Sequence, residues 1–159
     1  MQTDNAASLG VDTTSASPLP LWELVALTAG LMALNALAID IMLPGLSQIA
    51  EHYDLGQPND QQLVIFAYIA GFGVPQLFFG PVSDRYGRKR LLQLCLIGYS
   101  LAGIVSIYTS AYWALLVSRF FHGVFAAGVR VIAVSIVRDL MAGRAMARVM
   151  SLVLSLIHI

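Results

Sequence analysis

Apolar residues along this chain fall into runs of about twenty, each bounded by a short polar segment. LWELVALTAGLMALNALAIDIML covers residues 21–43, QQLVIFAYIAGFGVPQLFFG covers 61–80, and LLQLCLIGYSLAGIVSIYTS covers 91–110. A fourth run opens at YWALLVSRFFHGVFAAG and extends over 112–137, and a fifth, containing RVMSLVLSLI, occupies 145–159. At 1.5 Å per residue the four complete runs supply the ~20 residues that a hydrocarbon core of ~30 Å requires. The pattern predicts an all-α, polytopic transmembrane helical bundle over 21–159.

Composition agrees with that reading. Hydrophobic residues make up 58% of the 159 and charged residues only 11%, against about 25% in a typical soluble domain. Net charge is zero, so nothing argues for nucleic-acid binding. The single cysteine, Cys95, lies within an apolar run and reads as a small packing residue. Residues 1–20, MQTDNAASLGVDTTSASPLP, are small and polar, and predict a disordered tail. They carry no Lys or Arg, so the first apolar run reads as a retained membrane helix rather than a signal peptide.

The loops then orient the bundle. PGLSQIAEHYDLGQPND, between the first two runs, holds Glu51, Asp54 and Asp60 but no basic residue. Arg85, Arg88, Lys89 and Arg90 follow the second run, and Arg138, Arg144 and Arg148 follow the fourth. Seven of the nine basic residues thus collect on one side, which predicts a cytoplasmic N-terminus and cytoplasmic basic turns. Topology accounts for cations in SDRYGRKR, and Pro81 and Gly87 suit a chain that stops and re-enters. It does not account for Asp84 among them, or for the ordered pattern G-x-x-x-D-R-x-G-R-K-R.

That pattern, formed by Gly80, Asp84, Arg85, Gly87, Arg88, Lys89 and Arg90, resembles the signature loop of the major facilitator superfamily. AYIAGFGVPQLFFGPVSDRYGRKRLL, LNALAIDIMLPGLSQIAEHY and IVRDLMAGRAMARVMSLV are similar to segments of its drug:proton antiporters, the bicyclomycin-resistance-like branch. The resemblance spans roughly residues 21–153. It implies an incomplete N-terminal half of a fold with two six-helix halves and alternating access. It also implies that Asp84, Arg85 and Arg88 act as a conformational gate through interhelical charge contacts, with a pure topology anchor as the alternative. The energy source implied is a proton gradient; no cofactor is expected.

Ionisable groups inside a span cost at least ~2.5–3.5 kcal/mol on insertion scales, so each is a candidate functional residue. Asp40 shares a helix face with Ala29, Ala33 and Ala36, a stripe suited to close packing or a cavity wall. The resemblance implies proton or cationic-substrate coupling there; an interfacial, solvated Asp is the alternative. Arg119 and Arg130, eleven positions apart, fall within 20° of one another on a face that also carries Gly123 and Ala126. Such a face should meet a polar cavity or partner carboxylates, although Arg130 could instead snorkel to the cytoplasmic surface. The family pattern R-x-x-Q-G reads Arg119-Phe-Phe-His122-Gly123 here. His122 in the Gln position is either part of a proton path or a neutral hydrogen-bonding residue.

Asn35 is 140° from Asp40 and reads as an interhelical hydrogen-bond donor. Pro75 should free the carbonyl of Gly71 and kink the second span, with Gly71 and Gly73 closely packed or flexible. Gly98 and Gly103 read as packing residues. Tyr68 and Phe72 are candidate pocket residues, with packing as the alternative, and Tyr112 and Trp113 suit an interfacial belt. No metal-ligand spacing, phosphate loop or nucleophile arrangement points to an enzyme.

The expected function is proton-coupled export of drugs or small organic molecules across a bacterial inner membrane. The expected partners are a drug-like substrate, protons, the bilayer and further C-terminal helices. The alternatives are a superfamily importer or metabolite carrier, a short protein that binds other helices, and an inactive gene fragment. Leu154–Ile159, LSLIHI, is also what one library adapter would encode, so those residues are read either as protein or as translated adapter.

Overall fold

A computed structural model describes residues 20–57, 59–140 and 143–158. Seven α-helices follow in order: α1 Leu21–Asp40, α2 Leu46–His52, α3 Gln62–Gly73, α4 Gln76–Tyr86, α5 Arg88–Tyr108, α6 Tyr112–Leu140 and α7 Gly143–His158. The architecture is the all-α bundle expected, with no strand among the described residues. The expected tail lies outside the described residues except for Pro20, whose extended backbone (φ −62°, ψ 147°) starts α1.

Two spans are interrupted by proline. Pro44 sits in a 3-10 turn, Leu43–Gly45, that joins α1 to α2 and lets the apolar stretch Trp22–His52 continue as one candidate span. In the second span α3 stops at Gly73, Pro75 caps α4, and the two axes meet at 44°. Proline supplies no N–H to the preceding turn, so the break falls where the sequence places it.

The basic turn is shorter than the sequence suggests. α4 runs through Pro81 to Tyr86, and α5 begins at Arg88, leaving Gly87 alone between them. Gly87 adopts φ 86°, a left-handed region that disfavours any residue with a Cβ. The expected loop is therefore mostly helix end: hydropathy marks where the apolar core stops, not where backbone hydrogen bonding stops.

α6 is the central element. Over half of its apolar window is buried (56%), against 11% for the α1–α2 span and 17% for α5. α3 and α5 pack along α6, and α1 and α4 also touch it. The α3 crossing is close because both sides offer glycine. A Cβ on Gly71 would strike the Phe120 backbone, and one on Gly123 would strike the backbone of Tyr68 and Phe72. At the end bearing the basic turn, α1, α6 and α7 share a core of Val25, Ala29, Val137, Val149 and Val153. Met42, Val64, Leu115 and Leu116 form the core at the other end.

Candidate functional site

Two polar systems are assembled on α6. The first stands at its C-terminal end. Gly87 turns the chain so that Arg88, the first residue of α5, lies against α6. Its Nη1 donates to the Ser135 carbonyl at 2.6 Å and also reaches the Asp139 carboxylate. Its Nη2 is 3.5 Å from Asp84 Oδ1 on the last turn of α4. One guanidinium thus ties α4, α5 and α6 together, and a planar five-donor group is suited to that. Asp139 and Ser135 were not candidates on sequence. An acidic residue near the end of the fourth span, level with the basic turn, was the available signal.

The other gate residues do not join this network. Arg85 is exposed with its guanidinium 5.8 Å from the Tyr86 ring centroid, and Lys89 and Arg90 are exposed. Gly80 lies half-buried within α4.

The second system lies in mid-span. Arg119 Nη1 is 3.5 Å from Nδ1 of His122, one turn further along α6. His122 is buried, with the Tyr99 ring of α5 at 4.1 Å and the Tyr68 ring of α3 at 5.7 Å between centroids. Tyr68 donates to Asn35 Oδ1 at 2.7 Å and Tyr99 donates to the Leu34 carbonyl at 3.0 Å, fixing both phenols against α1. Asn35 makes the interhelical bond expected of it, but as the acceptor. A cavity of about 930 Å³ opens beside this cluster. α1 and α2 form one wall, α5 the other, and Leu115, Arg119 and His122 of α6 the floor.

Asp40 and Arg130 stand apart from that cluster. Asp40 is exposed at the end of α1 and does not line the cavity. Arg130 is exposed too, with its guanidinium 5.5 Å from the Phe72 ring centroid. Gly123 and Ala126, on the face between the arginines, are buried in helix packing. Eleven residues along a helix are about 16 Å, so sharing a face gives the two arginines different neighbours. Among the described residues, no group of three His, Cys, Asp or Glu side chains could hold a metal ion.

The Major Facilitator Superfamily model matches residues 28–159, most of the chain and every helix just described. The chain belongs to this superfamily. It is 31% identical over 131 residues to an uncharacterized MFS-type transporter, YdgK, of Bacillus subtilis, covering 82% of this chain and 32% of that protein. It is 34% identical to the multidrug resistance protein MdtL of a Shewanella species (78% of this chain, 31% of the relative). It is 33% identical to a bicyclomycin resistance protein homolog of Haemophilus influenzae (79% and 31%). The chain therefore spans about a third of the length of the curated relatives it matches. No solved structure gives a significant match. Superfamily membership makes this a transporter chain rather than an enzyme, and its apolar helices make it part of a multi-pass membrane protein.

Proposed function

We propose that the full-length protein exports drug-like organic molecules across a bacterial inner membrane by alternating access driven by the proton gradient. The observation that carries this reading is the Arg88 tether. Its contacts to Ser135 and Asp139 join the α4–α5 turn to α6 through groups that can separate without unfolding any helix. A reversible tether at one end of a bundle is what a two-state opening needs. The multidrug and bicyclomycin resistance relatives support a drug-like substrate. The clustering of basic residues supports a cytoplasmic N-terminus and places the tether on the cytoplasmic side.

In this mechanism the Arg88 network holds the cytoplasmic end closed while the other end is open. Asp40 loads and releases the coupling proton, and Arg119 with His122 organises charge beside the cavity. The test is drug efflux from a pump-deficient bacterium expressing the full-length gene that contains this stretch. Energised efflux of ethidium or bicyclomycin, collapsed by a protonophore and lost in Asp40→Asn, is expected. Inward accumulation instead of efflux would replace the exporter by an importer. Efflux indifferent to the protonophore would remove proton coupling.

A further inference from the structure

The cluster at His122 has an excess of donors. Arg119 carries only N–H donors, so in its contact with His122 the imidazole Nδ1 must be the acceptor. That assignment puts the ring proton on Nε2. His122 is 94% buried (6% exposed), and its Nε2 has no hydrogen-bond partner; neither does the buried Nε of Arg119. The neighbouring acceptors are already occupied, because Tyr68 bonds Asn35 and Tyr99 bonds the Leu34 carbonyl. Among the described residues both ion pairs are made by Arg88, and no carboxylate pairs with Arg119. Two unmet donors, one carrying full positive charge, therefore border a cavity of about 930 Å³.

The walls of that cavity are aliphatic, with Leu34, Leu37 and Ile41 on one side and Ile104 and Ile107 on the other. Small-molecule sites combine such walls with a few convergent polar groups that fix orientation. Here the polar groups call for an acceptor bearing negative charge, and an ammonium would meet the Arg119 guanidinium. Resting on the export reading above, we propose that Arg119 and His122 form an anion-recognising floor that receives the carboxylate of a lipophilic organic acid. The apolar body of the ligand lies between α1 and α5. His122 is a substrate-contacting residue on this account, donating through Nε2, and its role does not require it to change protonation.

Calorimetric titration of the purified full-length protein in detergent tests this, using phenylbutyrate and phenylbutylammonium as probes of matched body and opposite charge. Phenylbutyrate should bind more tightly by about tenfold or more, the scale of one charge-assisted hydrogen bond kept or lost. His122→Leu should erase most of that preference, while His122→Gln, which keeps a donor, should retain it. Equal or reversed affinities in the monodisperse wild type would overturn the proposal, as would an unchanged preference in His122→Leu. So would the absence of binding by either probe, because the donors are then capped by a carboxylate from the rest of the chain. Ethidium or bicyclomycin efflux, measured in parallel, separates the two readings. Efflux without a carboxylate preference sinks this inference alone, and its absence sinks the export reading.

Discussion

Removing the Arg88 side chain should cost about 3 kcal/mol, and most of that should come from a contact that is not an ion pair. The bond to the Ser135 carbonyl is short, at 2.6 Å, and Ser135 is buried. A hydrogen bond with one charged partner is worth roughly 1.5–3 kcal/mol. The Asp139 side chain is 47% exposed and that of Asp84 is 61% exposed, so both pairs are weakened by solvent. They should contribute about 0.5–1 kcal/mol and a few tenths of a kcal/mol respectively. The expected order of destabilisation is therefore Arg88→Ala well above Asp139→Asn, with Asp84→Asn smallest. Denaturant unfolding of the full-length protein in detergent would measure each change, and an Arg88/Asp139 double-mutant cycle would isolate their coupling. Arg88→Lys should recover only part of the loss, because an ammonium cannot hold the three partners with one planar fork. If Asp84→Asn proves as costly as Arg88→Ala, or Arg88→Lys matches wild type, the carbonyl tether is not the dominant contact.

Gly123→Ala should destabilise the bundle by about 1–3 kcal/mol, since the new methyl meets the Tyr68 backbone, whereas Gly103→Ala, whose Cβ clears His122 by 3.9 Å, should stay near wild type in the same unfolding assay. Tyr68→Phe leaves Asn35 Oδ1 without its donor and should cost about 0.5–1.5 kcal/mol, again read from unfolding. Pro75→Ala restores an N–H to the α3–α4 junction; spin-label distances across the second span should then report a bend well below 44°.

Local features of the fold were legible because each depends on one segment of chain. Pro75 marks a break in its own helix, and Gly71 marks a close crossing without naming the partner. The basic turn identified which end of the bundle Arg88 occupies. Its partner on α6 is forty-seven residues away, and nothing local selects Ser135 from its neighbours. That choice follows from how α5 docks on α6, which is a property of the packed bundle. Helical-wheel reasoning failed in a similar way for Asp40 and Arg130. Ala29 shares a face with Asp40, yet it packs in the α1–α6–α7 core at the far end of α1, while Asp40 is exposed. A wheel assigns direction and discards position along the axis, so residues on one stripe can face different surroundings.

Position along the axis also relates the two polar systems. Arg119 and Ser135 belong to the same uninterrupted helix, separated by roughly 24 Å at 1.5 Å per residue. α6 has no proline and is the most buried of the candidate spans, so it has little means of bending between them. At mid-length it is held by backbone contact with α3 at Gly123 and Gly71, where neither helix can slide without opening a void or a clash. A displacement of α6 large enough to part Arg88 from the Ser135 carbonyl must therefore tilt it about that crossing. Arg119 and His122 lie within one turn of the crossing, at the pivot, where tilting produces rotation more than translation. Such a rotation re-aims the two unmet donors relative to the α1 and α5 walls while leaving the Tyr68–Asn35 and Tyr99–Leu34 bonds to restrain the walls themselves. The glycine crossing is thus the element through which occupancy of the cavity and closure of the Arg88 tether can bias one another, which is the differential contact that alternating access requires.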